Sequence, residues 1–193
     1  MIAALYVQRG GCYWDLPGVD AWDIERDARR YAGPYPVVAH PPCERWGKFW
    51  FGSPSKAKAG IRERFGDDNG CFEAALASVR MYGGVLEHPA GSGAWRTFGL
   101  AEPSEGWSRA DGYGLTCRVD QSRYGHRAQK PTWLYVVGIV PPDLDWRPLP
   151  IPDPDARSRR GVLALMSRTQ RAATPIPFRD LLLSIAKSAR KET

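Results

Sequence analysis

The stretch Val37-Val38-Ala39-His40-Pro41-Pro42-Cys43 joins an apolar run to two prolines and a cysteine. Because proline has no backbone N–H to donate, Pro41 and Pro42 cannot continue a strand inside a sheet. The run therefore predicts a buried strand that ends before Pro41, with Cys43 just beyond its carboxyl end. In open α/β sheets, ligands bind outside the carboxyl ends of the strands. Cys43 is accordingly a candidate nucleophile; the alternative is a small buried residue without chemistry.

Length and composition limit the class of protein. The chain has 193 residues, 43% of them hydrophobic, which predicts one core and a single domain over residues 1–193. No apolar run approaches the ~20 residues that a membrane helix needs, and residues 1–7 do not resemble a signal peptide, so we expect a cytoplasmic protein without a membrane partner. The four cysteines form no CxxC pair and are expected to be reduced. The net charge of +6 is typical of a protein that binds nucleic acid. The alternative is that these basic side chains form an ordinary solvated surface.

Apolar runs and turn residues together predict an α/β protein. Strands are predicted at residues 2–7, 19–22, 37–40, 85–87, 115–119 and 133–139. Helices are predicted at residues 27–31 and 181–185, and a third follows the capping side chains of residues 67–69 and extends to residue 82. Residues 48–66 are predicted to form a long loop, and residues 141–160 a proline-rich linker segment within the domain. Strands that alternate with helices favour a parallel or mixed sheet.

Three polar motifs follow predicted strands. They are His40-Pro41-Pro42-Cys43, Leu86-Glu87-His88-Pro89, and Tyr124-Gly125 leading into Lys130-Pro131-Thr132. In this order they resemble the cytosine C5 DNA methyltransferases, which have a Pro-Cys nucleophile, a Glu-Asn-Val element and a Tyr-Gly element. Residues 6–11 are similar to that family's first turn, residues 67–72 to its helix start and residues 170–175 to its closing element. The resemblance implies a truncated, Rossmann-like methyltransferase-type sheet with helices on both faces.

The same resemblance implies a role for each motif and a pyrimidine of DNA or of a nucleotide as substrate. Cys43 would add to ring carbon 6, which makes carbon 5 a nucleophile. Glu87 would donate a proton to ring N3, and burial would favour the protonated or shared-proton carboxyl that this requires. Arg123 and Lys130 would be the catalytic cations. The substrate would be lined by His40, Pro42, His88, His126, Arg127 and Thr132.

The cofactor implied by the resemblance is S-adenosylmethionine, held by Tyr6, Gly10, Gly11 and Asp23. Two departures from the family argue against it. Gln8 stands where the family has a glycine, and residues 32–36 leave no room for the strand that carries an adenine-contacting acid. We therefore expect weak or no binding of S-adenosylmethionine. The alternatives are another C5 modification or deamination on the same fold, or a non-enzymatic module that binds nucleic acid or protein.

A zinc site is a further alternative. It would use the three histidines and the candidate nucleophile, namely His40, Cys43, His88 and His126. Their spacing matches no metal motif, so we expect zinc to be absent and these histidines to serve turns or proton transfer.

Residues 45–51 combine aromatic and basic side chains directly after the cysteine motif. Such a segment can stack on an extruded base or a single strand while lysines contact phosphates. The alternative is a hydrophobic lid over the edge of the sheet.

Overall fold

The apolar run at residues 37–39 forms a fully buried strand of one mixed sheet. The computed structural model describes residues 1–52, 58, 60, 62–147 and 166–189. These residues form seven strands, which in chain order are β1 (Ile2–Leu5), β2 (Val19–Trp22), β3 (Val37–Ala39), β4 (Gly84–Pro89), β5 (Ser108–Arg109), β6 (Leu115–Asp120) and β7 (Pro131–Val137). The helices are α1 (Cys71–Tyr82), α2 (Gly93–Thr97), α3 (Arg168–Ala172) and α4 (Ile176–Lys187).

The strand order creates a switch point in the middle of the parallel half of the sheet. The order is β2-β1-β3-β4-β7-β6-β5. Strands β1 to β4 are parallel, and β7 lies antiparallel between β4 and β6, so that β6 runs in the direction of β4. The chain moves from β1 outward to β2 and then to the other side of β1 to form β3. Ligand sites of open α/β sheets lie outside the carboxyl ends of the strands at such a point.

Two cores cover the two faces of the sheet, because successive side chains of a strand point to opposite faces. On one face, Phe72 and Val79 of α1 pack in a core that includes Leu5 of β1. On the other face, Phe178 and Leu182 of α4 pack in a second core. The predicted α/β class with helices on both faces is therefore confirmed.

Several predicted elements differ in their bounds. The long helix begins at Cys71, after the predicted capping residues 67–69, but its N-cap is Gly70, which makes no side-chain cap bond. Asp68 instead accepts from the Phe72 backbone N–H at 2.9 Å and from Trp46 Nε1 at 2.8 Å, so one carboxylate joins the helix start to the residues after Cys43. The predicted helix at residues 27–31 is a short 3-10 turn, Ala28–Arg30.

The sequence patterns did not predict α2, α3, β5 or the 3-10 turn Gln121–Tyr124. Each has two to five residues, which is too few for a hydrophobic period to be recognised. Of the predicted linker, residues 141–147 form no helix or strand, and residues 148–160 lie outside the described residues. None of the helices in the described ranges has both the length and the apolar character needed to cross a membrane.

Candidate functional site

The three polar motifs meet at one edge of the sheet. Strands β3, β4 and β6 end there, and β7 begins there because it runs in the opposite direction. His40 follows β3, Glu87 lies near the end of β4, and Gln121 follows β6. Residues that are far apart in the sequence therefore become neighbours at this edge.

A chain of hydrogen bonds joins these strand ends. His40 Nδ1 lies 3.0 Å from Glu87 Oε2, and His40 Nε2 lies 2.9 Å from the Tyr13 hydroxyl. On the other side of the carboxylate, Gln121 Nε2 donates to Glu87 Oε1 and to Thr132 Oγ1, each at 3.0 Å. A carboxylate can only accept, so His40 Nδ1 is the donor whenever Glu87 is ionised.

The Glu87 carboxyl is favoured in its ionised form. Its side chain is only 12% exposed. Burial raises the pKa of Glu87, but the hydrogen bond from His40 and the electrostatic effects of His40 and Lys130 outweigh burial and lower the pKa below its usual value. The prediction that burial favours a protonated carboxyl is therefore wrong, because polar partners hold both of its oxygens, whereas a proton shared with His40 stays a prediction. Ionised Glu87 has no proton of its own to donate to a ligand. Such a proton would have to be one that Glu87 shares with His40.

Tyr13 and Gln121 belong to this site although no sequence motif singled them out. Both side chains are buried, and burial raises the pKa of Tyr13 well above its usual value, so its hydroxyl keeps its proton. The one signal in the sequence for Gln121 was its place two residues after the predicted strand 115–119. Tyr13 carried no such signal, because it lies in the irregular segment between β1 and β2.

His88 lies in the aromatic core rather than on a substrate-lining surface. It is 1% exposed, its Nδ1 lies 2.7 Å from Ser92 Oγ, and its ring lies against Phe72 and Trp95. Burial lowers the pKa of His88 to about 4, so the ring is neutral at physiological pH. The carbonyls of Pro41 and Pro42 lie beside the ring. The burial of His88 therefore supports the turn that carries Cys43.

We expect His88 to make folding stability pH-dependent. Between its ordinary pKa of 6.5 and about 4, the unfolded chain binds a proton that the folded chain does not, so stability falls as the pH falls through this range. The full loss corresponds to about 3 kcal/mol. In urea unfolding followed by tryptophan fluorescence, His88→Phe is expected to reduce the difference in unfolding free energy between neutral pH and pH near 4. An unchanged difference would contradict a neutral, buried His88.

The other predicted substrate and cation residues are dispersed. Arg123 lies 3.9 Å from an Asp145 carboxylate oxygen and donates to the Arg147 carbonyl at 3.3 Å, so its guanidinium is engaged by the segment after β7. His126 Nδ1 lies 2.7 Å from the Ala128 carbonyl within a buried turn, and Arg127 is exposed. Lys130 is the cation whose charge acts on Glu87. Of the two predicted catalytic cations, Lys130 is the one whose charge reaches Glu87, and the Arg123 guanidinium contacts the segment after β7.

The alternative zinc set is not assembled. The ring nitrogens of His40, His88 and His126 have three different sets of partners, in separate parts of the edge. Within the described ranges, no three side chains of the His, Cys, Asp and Glu types are grouped so that they could hold a metal ion.

Cys43 lies in an exposed turn, where its carbonyl accepts from the Trp46 backbone N–H at 3.1 Å. It is a reduced thiol, like Cys12, Cys71 and Cys117. The alternative of a small buried residue is therefore wrong. The thiol lies three residues after His40, which binds Glu87.

A cleft of about 850 Å³ opens beside this turn, at the switch point of the sheet. Its walls come from the segments that follow β1, β2 and β3 and from the residues before α1. Tyr6 and Asp23, which the resemblance assigns to the cofactor, and Pro42, which it assigns to the substrate, line this cleft, whereas Gly10 and Gly11 are not among its described lining residues. Gly11 instead closes a turn: its N–H donates to the Gln8 carbonyl, and a Cβ at Gly11 would lie 2.9 Å from that oxygen.

Polar groups that line the cleft are already bonded within the protein, which supports the expectation of weak or no binding of S-adenosylmethionine. Asp23 Oδ1 already accepts from the backbone N–H groups of Glu25 and Arg26, each at 3.1 Å. An ion pair of 2.6 Å between Arg9 and Glu25 connects the segments after β1 and β2. In the described part of the sheet β2 is the edge strand, so no neighbouring strand brings a further acid to an adenine ring. The lining side chains thus hold one another where the family has an open glycine turn.

Titration calorimetry with S-adenosylmethionine is expected to give a dissociation constant weaker than about 1 mM, which corresponds to roughly 4 kcal/mol of binding free energy. The reason is the engagement of Asp23, Arg9 and Glu25 within the cleft. A micromolar constant would contradict this expectation and restore ordinary methyl transfer.

Comparisons with known proteins give no relative from which a function could be carried over. No protein-family model matches the chain, and no curated protein or solved structure is detectably similar to it. Its activity therefore has to be inferred from the chemistry of the site itself.

Proposed function

We propose that this chain is an enzyme that activates a pyrimidine base of DNA or of a nucleotide, with Cys43 as the nucleophile. The observation that carries the proposal is the buried His40–Glu87 pair, which directly precedes the exposed Cys43 turn at the carboxyl edge of the sheet. A thiol that follows a histidine–carboxylate pair by three residues at a strand end is a candidate for nucleophilic catalysis.

We also propose that the sheet is Rossmann-like and of the methyltransferase type. The segment β2-β1-β3-β4 has the spatial order 2-1-4-5 of a doubly wound sheet, without the strand that would lie outside β2. The short connection at residues 32–36 accounts for the missing strand. The cleft at the switch point supports this assignment.

The His40–Glu87 pair supplies the proton that the addition needs. With one shared proton, the pair is either an imidazolium beside a carboxylate or a neutral imidazole beside a carboxylic acid. In the second form the proton on Glu87 Oε2 turns from His40 Nδ1 to ring N3 and is donated there, while the Tyr13 hydroxyl stays on His40 Nε2. Lys130 adds positive charge at the same carboxyl.

The proposed reaction needs no methyl donor or other group donor, because water supplies and takes up the protons. The Cys43 thiol loses its proton to water, the thiolate forms a bond to C6, and N3 takes a proton from Glu87. Carbon 5 of the resulting enamine takes a proton from water and then loses its original hydrogen. Loss of that hydrogen to water as a proton expels the Cys43 thiolate from C6, the thiolate takes a proton back from water, and the N3 proton returns to Glu87. The net result is exchange of the hydrogen at C5 with solvent, which occurs whatever electrophile the enzyme normally uses.

Tritium release from cytosine labelled at C5 therefore tests the proposal. The purified chain is incubated separately with single-stranded DNA, duplex DNA and dCMP, without any added cofactor. Release of tritium into water from at least one substrate is expected, and conversion to uracil would favour the deaminating alternative. If no substrate loses tritium or its amino group, the proposal is contradicted and a non-enzymatic binding module is favoured.

A further inference from the structure

An exposed cluster of aromatic rings follows Cys43, and we call it the aromatic platform. It consists of Phe49, Trp50, Phe51 and Phe65, whose neighbouring ring centroids lie 5.9 to 6.3 Å apart. Three of these side chains are mainly or substantially exposed, at 73% for Phe49, 54% for Phe51 and 46% for Phe65. Single exposed apolar residues are ordinary, but a contiguous exposed cluster indicates a binding surface.

The platform is fixed to the core beside Cys43. Trp46 is buried, its ring lies 5.6 Å from that of Phe65, and its carbonyl accepts from Gly93 N–H at 2.9 Å. The Gly66 N–H donates to the Arg45 carbonyl at 3.0 Å, which closes the base of the segment. Phe65 rests directly on Gly93, where a Cβ would overlap its ring. Trp46 is buried, as the alternative of a hydrophobic lid predicts. The rings of Phe49, Phe51 and Phe65 are exposed and do not fit that alternative.

Basic side chains accompany the exposed rings. Lys48, Arg62 and Arg64 are exposed, and the Lys48 ammonium lies 6.0 Å from the centre of the Phe49 ring. The acid between the two arginines, Glu63, forms an ion pair with Arg45. The platform thus combines aromatic faces with cations that suit a phosphate backbone.

We propose that the platform, with Lys48, Arg62 and Arg64, binds single-stranded DNA and presents an unpaired base to the Cys43 turn. Bases of a single strand can stack on Phe49 and Phe51, whereas bases of a duplex are already stacked and paired. Phosphates of the same strand contact the cations. The inference rests on the proposed function only for the choice of DNA and for what happens to the delivered base.

Fluorescence anisotropy with a fluorescein-labelled single-stranded oligonucleotide tests this surface. All measurements use the full chain in a Cys43→Ser background, so that binding is separated from turnover. Phe49→Ala and Phe51→Ala are each expected to weaken binding about tenfold, and the double variant about 100-fold. The matched control Tyr113→Ala removes a ring that is 67% exposed elsewhere and is expected to leave affinity unchanged. Lys48→Gln is expected to reduce the salt dependence of binding.

Three outcomes would overturn the inference: duplex DNA bound as tightly as the single strand, an unaffected Phe49→Ala/Phe51→Ala double variant, or tighter binding of RNA of the same sequence. Circular dichroism checks that each variant is folded. Tritium exchange on dCMP without oligonucleotide binding would contradict this inference alone. Oligonucleotide binding without exchange on any substrate would contradict the proposed enzyme alone.

Discussion

Cells that express the protein and incorporate 5-fluorocytosine into their DNA are expected to accumulate a covalent protein–DNA adduct at Cys43. Cellular DNA is used because the cell also supplies the electrophile that normally reacts at C5. Once Cys43 is bonded to C6 and an electrophile to C5, fluorine occupies the position of the departing proton, so the C6–S bond cannot be released by elimination. Mass spectrometry of the digested adduct would locate the bond, and the added mass would identify the transferred group.

Substitutions of two cysteines make this test specific. Cys43→Ser changes little volume in an exposed turn and is expected to abolish the adduct and all turnover while the chain stays folded. The matched variant Cys71→Ser alters a half-buried thiol at the start of α1 and is expected to leave turnover nearly unchanged. If Cys43→Ser still formed the adduct at the wild-type rate, nucleophilic catalysis by this residue would be excluded.

The edge of the sheet could be predicted because proline marks strand ends in the sequence. Pro41 follows β3 and Pro89 ends β4, and both prevent further pairing inside the sheet. The polar residues beside them were therefore expected at one edge, and His40 and Glu87 are in contact there. Local sequence suffices for this inference, because parallel strands with the same direction end on the same side.

The partners of these residues could not be predicted, because topology rather than sequence distance selects them. Tyr13 reaches His40 from an irregular segment after β1, and Gln121 reaches Glu87 only because β7 lies between β4 and β6. Arg123 was expected to face the site, but the chain after β7 folds back and brings Asp145 to its guanidinium. The expectation that burial favours protonated Glu87 was wrong for the same reason. The burial of the carboxyl could be predicted from the sequence, but its hydrogen-bond donors could not.

Glu87→Gln is expected to slow adduct formation and C5 exchange by something like 10²-fold, the usual scale for a positioned acid. The glutamine amide cannot share a proton with His40, so N3 would have no donor. The fold should tolerate the change, because Gln121 Oε1 has no partner in the described structure and can accept from the new amide if its own amide rotates.

Tyr13→Phe removes only the hydrogen bond to His40 and is expected to slow exchange about tenfold.

The pH dependence of stability separates this catalytic role of Glu87 from a structural one. Because its pKa is lowered in the folded chain, ionised Glu87 stabilises the fold above its ordinary pKa of 4.5, and that contribution is lost as the pH falls below this value. Glu87→Gln should therefore lose less stability on acidification than wild type does, while its exchange rate stays low at neutral pH, where its fold is intact. A Glu87→Gln variant that is folded and exchanges at the wild-type rate would exclude the carboxyl as the proton donor, and His40 would then have to protonate the base directly.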